Sequence, residues 1–150
     1  MYHQSLTQMD LTKILSIGGK SGLYKMVGKT KTGFVVEPVA GGARMPAFPS
    51  QQISILEEIS IYTVEKDLPL KEVFKKIHDR EQGGKAPDHA ADAATIVSYF
   101  SEVLPEYDPD LVRTSDMRKV FRWYNELLEA GILSFEEEEN NLEQLSDEKS

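Results

Sequence analysis

The hydrophobic period of this chain changes once, near Asp67, and that change limits its possible folds more than any other feature. Past Asp67, Leu70, Val73, Phe74 and Ile77 fall at i, i+3, i+4 and i+7, the spacing of one helix face. Pro69 suits a first turn and Gly83-Gly84 a stop. Asp92 can cap a second helix that carries Ile96, Tyr99, Phe100, Val103 and Leu104 inward and ends at Pro105. Thr114 or Ser115 can cap a third, whose stripe runs through Met117, Val120, Phe121, Tyr124, Leu127 and Leu128. Gly131 sits where a left-handed C′ residue belongs, and Ile132, Leu133 and Phe135 are expected to fold back as an apolar clamp.

Ahead of Asp67 the texture is that of strands. Gly22 to Lys29 and Gly33 to Val39 hold β-prone residues around a Thr30-Lys31-Thr32-Gly33 turn. Arg44 to Phe48 follows a Gly41-Gly42 turn, and its Pro46 demotes it to an edge strand or bulge. Ile53 to Leu56 and Ile59 to Thr63 complete five short β segments. At the very front, Leu11, Ile14 and Leu15 share one helical face, which predicts a short helix over Leu11 to Ile17, capped by Asp10 and ended by Gly18-Gly19. The expected fold is α+β. A small SH3-like β-barrel-type module spans residues 10–66, a three-helix module spans 67–135, and a disordered acidic tail spans 136–150. An open antiparallel sheet would serve the first module nearly as well.

Composition removes several function classes. There is no cysteine, so disulfides, thiolate metal sites and thiol catalysis are excluded. No apolar run approaches the roughly 20 residues that span a bilayer, and Met1 to Asp10 lacks the features of a signal peptide. A soluble, cytoplasmic protein with no membrane partner is expected. The net charge of −8 is unevenly spread. Glu136 to Ser150 holds seven acids and one lysine, whereas residues 1–50 hold six basic side chains and two acids.

Reactive constellations are hard to find. Gly19-Lys20-Ser21 lacks the earlier glycine of a phosphate loop, that position being Ile14. His3, His78 and His89 show no metal-ligand spacing. Glu57-Glu58, Glu102 with Glu106, and Asp108 with Asp110 are plain surface acids unless a cleft gathers them. Arg118, Lys119 and Arg122 lie on the polar side of the third helix, within reach of phosphates if it docked on DNA. The front module is basic through Lys25, Lys29, Lys31 and Arg44, with Tyr24 and Phe34 as stacking surfaces; the same lysines also suit a solvated hairpin. Trp123 lies beside the inward stripe, which makes it a contact anchor or a cover for the junction between the two halves.

Several segments together carry a resemblance. They are Asp10-Leu11-Thr12-Lys13-Ile14-Leu15-Ser16-Ile17, Arg44-Met45-Pro46, Leu56-Glu57-Glu58-Ile59-Ser60-Ile61-Tyr62-Thr63, Val103-Leu104-Pro105 and Lys119-Val120-Phe121-Arg122-Trp123-Tyr124-Asn125. From about Asp10 to Phe135 the chain resembles a family of uncharacterised small proteins of Bacteroidetes-type bacteria, known only as a domain of unknown function. The resemblance implies a β-rich front and a helical back, and transfers no activity. The expectation is therefore a non-catalytic binding or adaptor protein with a protein partner, without cofactor, metal or catalytic residues. The alternative is a nucleic-acid-binding accessory protein using the basic face of the β module. Lys25, Lys29, Lys31, Arg44 and Trp123 are the candidate contact residues.

Overall fold

The computed structural model of the protein describes residues 11–133. The expected acidic tail, Asp10, His3 and Phe135 lie outside the described residues. The chain opens with a 3-10 turn at Leu11–Lys13, then strands β1 (Ile14–Ile17), β2 (Leu23–Lys29), β3 (Phe34–Pro38), β4 (Met45–Ala47) and β5 (Ile53–Ile55). These form one antiparallel sheet in the order β4-β3-β2-β1-β5. β4 and β5 are its two edges and do not pair with each other, so the sheet is open and the expected closed barrel does not form. Each edge strand has only three residues, and Pro46 removes one backbone donor from β4.

The short helix expected over Leu11 to Ile17 is also replaced. Only Leu11–Lys13 turns, and Ile14–Ile17 is an interior strand of the sheet, paired with β2 on one side and the edge strand β5 on the other. Ile14 faces one side and Leu15 and Ile17 the other, and all three are buried. A strand covered on both faces loses its polar alternation, and the resulting apolar run mimics a helical stripe. Burial between β2 and β5 overrides the local signal.

A second 3-10 turn, Leu56–Glu58, leads to β6 (Ser60–Tyr62) and β7 (Asp67–Pro69), followed by α1 (Leu70–Arg80), α2 (Ala93–Val103) and α3 (Thr114–Glu129). Residues Ile59 to Thr63, read from sequence with the front strands, instead pair with β7 in a separate two-stranded sheet. The helices carry the stripes that their periodicity predicts. Val73, Phe74 and Ile77 of α1, Ile96 and Phe100 of α2, and Val120, Phe121 and Tyr124 of α3 are buried together. Their rings meet edge-on or tilted, with Tyr99 and Phe121 centroids 5.3 Å apart and Phe74 and Tyr124 6.1 Å apart.

α3 has defined ends. Asp116 accepts the Arg113 N–H at 3.0 Å at its start. At its finish Gly131 adopts φ +74°, while the Gly131 and Ile132 N–H groups donate to Leu128 and Leu127 carbonyls. That is a Schellman ending, which explains why Ile132 packs back on the core. Leu11, Ile14, Leu23 and Leu56 join the same cluster, so one face of the sheet rests on the helices.

Candidate binding cleft at the sheet–helix junction

Where the sheet meets α3, a cleft of about 280 Å³ opens. Ser16 and Ser54 form one wall; the register pairs them directly, so they project from the same face of β1 and β5 as Ile14 and Leu23. Val120 and Trp123 of α3 line it as well. Residues 59–62, Leu111-Val112, Asp116 and Lys119 complete the lining. Trp123 is half-buried against the shared core, so it lines the junction between the halves. Two of the larger exposed apolar side chains border the cleft, Tyr62 at 46% and Leu111 at 54% exposure, with Val64 nearby at 66%.

The lining chemistry is apolar with a few hydroxyls and one charge of each sign. Asp116 is engaged in capping α3. Lys119 makes no ion pair with any described residue. Neither a histidine nor a second carboxylate joins these groups among the described residues. Among the described residues no cluster of metal-binding side chains occurs. Gly19-Lys20-Ser21 forms the turn between two strands, with the Lys20 N–H donating to the Ile17 carbonyl. Without a helix after it, this turn offers no phosphate cradle.

The basic residues of the sheet do not gather. Lys25 pairs across the ladder with Glu37, and Arg44 lies 3.8 Å from the same carboxylate. A β-bulge between Met26 and Gly28 then inserts one extra residue into β2. Lys29 consequently pairs with Phe34 and shares its face, opposite to that of Lys25. Without the bulge the two lysines, four residues apart, would share one side. Lys31 sits exposed in the β2–β3 turn.

The polar side of α3 is occupied instead with the segment that links α1 to α2. Arg118 donates to the carbonyls of His89 and Ala91 at 2.7 and 2.6 Å, so its guanidinium is committed inside the protein and not to phosphates. Asn125 accepts the Ala86 N–H and donates to the Ala86 carbonyl. The Tyr124 hydroxyl donates to the Gly84 carbonyl, and burial, aided by the carboxylates of Glu81 and Asp79, pushes its pKa up to about 12. Burial and a 2.6 Å hydrogen bond to Glu81 likewise raise the Tyr99 hydroxyl. Glu126 reaches the other way: it accepts the Leu23 N–H at 2.9 Å and so ties β2 to α3.

Sequence reasoning reached Trp123 and the helix that carries it. It missed Ser16, Ser54, Tyr62 and Leu111. The two serines are unremarkable until the register places them side by side. Tyr62 and Leu111 lie 49 positions apart with no local motif to connect them.

Two family models match successive parts of the chain. A domain of unknown function (DUF5606) matches residues 11–56, and another (DUF6852) matches residues 59–127. No curated protein matches the chain. The solution NMR structure of a protein from Bacteroides vulgatus, a structural genomics target, aligns with a TM-score of 0.70 at 39% identity, covering 84% of this chain and 91% of that one. The chain belongs to this family of two-module proteins, built from one domain of unknown function followed by another.

Proposed function

We propose that this protein is a non-catalytic binding protein of adaptor type, acting in the cytoplasm, and that it holds a protein partner in the junction cleft. The observation that carries the reading is the composition of that cleft: Trp123, Tyr62 and Leu111 present apolar surface at a site where, among the described residues, no reactive side chains converge. A pocket walled by aromatic and aliphatic groups, with few polar ones, binds rather than reacts. The order β4-β3-β2-β1-β5, with β5 returned to the far side of β1, supports reading the neighbouring sheet as an SH3-like module left open. No helix of the described residues is long and apolar enough to cross a membrane, which fits a partner met in solution.

The alternative, a nucleic-acid-binding accessory protein, draws on Lys25, Lys29, Lys31 and Arg44. It is the weaker reading, because the bulge divides the two β2 lysines between faces and Glu37 offsets Lys25 and Arg44. The chain has a single tryptophan, so intrinsic fluorescence reports on the cleft directly. Apolar peptides are expected to shift Trp123 emission saturably, whereas single-stranded RNA, single-stranded DNA and duplex DNA leave it unchanged at low salt. Saturable nucleic-acid binding that weakens linearly with log salt would replace this reading with the alternative.

A further inference from the structure

We infer that the junction cleft takes its partner as an extended strand, added to the open edge of β6; the inference rests on the binding reading above and specifies its occupant. The hydrogen-bond parity of the small sheet supplies the first argument. Thr63 N–H donates to the Lys66 carbonyl and Leu70 N–H to the Ile59 carbonyl. In an antiparallel ladder hydrogen-bonded pairs alternate with non-bonded ones, so Ile61 and Leu68 are bonded while Ser60 with Pro69 and Tyr62 with Asp67 are not. Pro69 agrees with this parity, because it has no N–H to give. The backbone N–H and C=O of Ser60 and the N–H of Tyr62 therefore point away from β7. Among the described residues, the neighbouring loop occupies only the end of the strand on that side, through Asp108 N–H to the Tyr62 carbonyl and Val64 N–H to the Glu106 carbonyl.

The cleft lies along this open edge. Successive strand residues project to opposite faces, so Ile59, Ser60, Ile61 and Tyr62 can all line one cleft only where it runs beside the backbone. Ser60 and Tyr62 are exposed. An incoming strand there finds two donors and one acceptor on its backbone side. Its side chains meet a lining that includes Trp123, Val120 and Leu111. Of the two charges in the lining, Asp116 already accepts the Arg113 N–H, whereas Lys119 has no ion pair among the described residues and favours an acidic residue beside the apolar anchor. The occupant is thus a short extended peptide segment with an apolar residue next to an acid, recognised by backbone pairing and one side-chain pocket.

The test uses the full chain and, as probes, synthetic linear peptides selected against it from a random displayed library. Bound peptide is expected to slow hydrogen exchange at the Ser60 and Tyr62 amides and to shift Trp123 emission. N-methylating the one peptide amide that faces β6 is expected to weaken binding roughly tenfold, the effect of one lost backbone hydrogen bond. Ser60→Pro is expected to do the same without loss of fold, since that N–H serves no ladder bond and Ile59 already holds the extended φ −90°, ψ 135° that precedes proline readily. Peptides that shift Trp123 yet leave both amides and N-methylation without effect overturn strand addition and keep the apolar cleft. A library from which no peptide perturbs Trp123 overturns the binding reading itself. Protection of Ser60 and Tyr62 that rises with protein concentration, together with dimer sedimentation, overturns the proposal by assigning the edge to a second copy.

Discussion

The two halves of this protein are built to different standards of closure. The helical half encloses Phe74, Phe100, Phe121 and Tyr124 completely, with rings packed from three helices. The sheet's own face has only Leu15, Ile17, Val36 and Ala47 fully buried, ringed by half-buried Tyr24, Met26, Phe34, Met45, Ile53 and Ile55. Its other face contributes Ile14 and Leu23 to the helical core. The sheet is thus stabilised largely from one side, by the helices it rests on. The functional consequence lies at the seam. A rigid helix and a lightly closed sheet meet there without filling the space between them, and the cleft is what remains.

Core truncations test this contrast most strongly. Phe121→Ala is expected to cost about 3–5 kcal/mol, because a fully buried ring in contact with two others leaves a cavity that rigid helices cannot collapse. Leu15→Ala, in the small cluster, is expected to cost about 2 kcal/mol, since half-exposed neighbours can shift inward. Urea denaturation of both variants decides the matter: equal losses would erase the distinction between the halves.

Tethering comes next. Glu126→Ala removes the acceptor for the Leu23 N–H and is expected to cost about 1–2 kcal/mol, while Glu126→Gln keeps a carbonyl in place and recovers most of that. If Glu126→Ala proves neutral, the sheet is held by apolar contact alone.

The smallest expected effect concerns alkali. Tyr124 has its folded pKa raised above the ordinary value of 10.0 to about 12, so the fold favours its neutral form. Its contribution is therefore fully present below pH 10.0 and is lost as pH rises toward about 12. Tyr124→Phe is expected to cost about 1 kcal/mol at neutral pH, through the lost bond to the Gly84 carbonyl, and to flatten the fall in melting temperature above pH 10.0. An unchanged alkaline slope in the variant would assign the pH dependence to other groups, Tyr99 first among them.

The helices were legible because their signals are local and redundant. Stripe and stop agree for α1, α2 and α3; the starts differ, since Pro69 ends β7 just before α1, Asp92 holds the N-cap position of α2 without a side-chain bond, and the cap of α3 moves to Arg113 with Asp116. β1 was illegible because a strand buried on both faces looks like part of a helix, and only its pairing with β2 and β5 distinguishes the two. Barrel closure was illegible for a related reason. Five short strands are compatible with both open and closed sheets, and the outcome depends on whether β4 and β5 reach each other. Trp123 stood out as the lone tryptophan beside a stripe, whereas the two serines that line the cleft with it acquire meaning only through register. The β2 bulge could not be foreseen either, yet it decides which lysines share a face.

The better-packed half carries, inside the cleft, a strand edge that is unfilled among the described residues. Residue-resolved amide exchange of the free, full-length protein tests it most directly. The Ser60 and Tyr62 amides should exchange quickly, near the rate of open backbone, while the Ile61 and Leu70 amides, bonded within the small sheet, exchange far more slowly. Ser60 and Tyr62 protected as strongly as Ile61 would mean that the edge is already covered, and the cleft would not be the place where a partner strand enters.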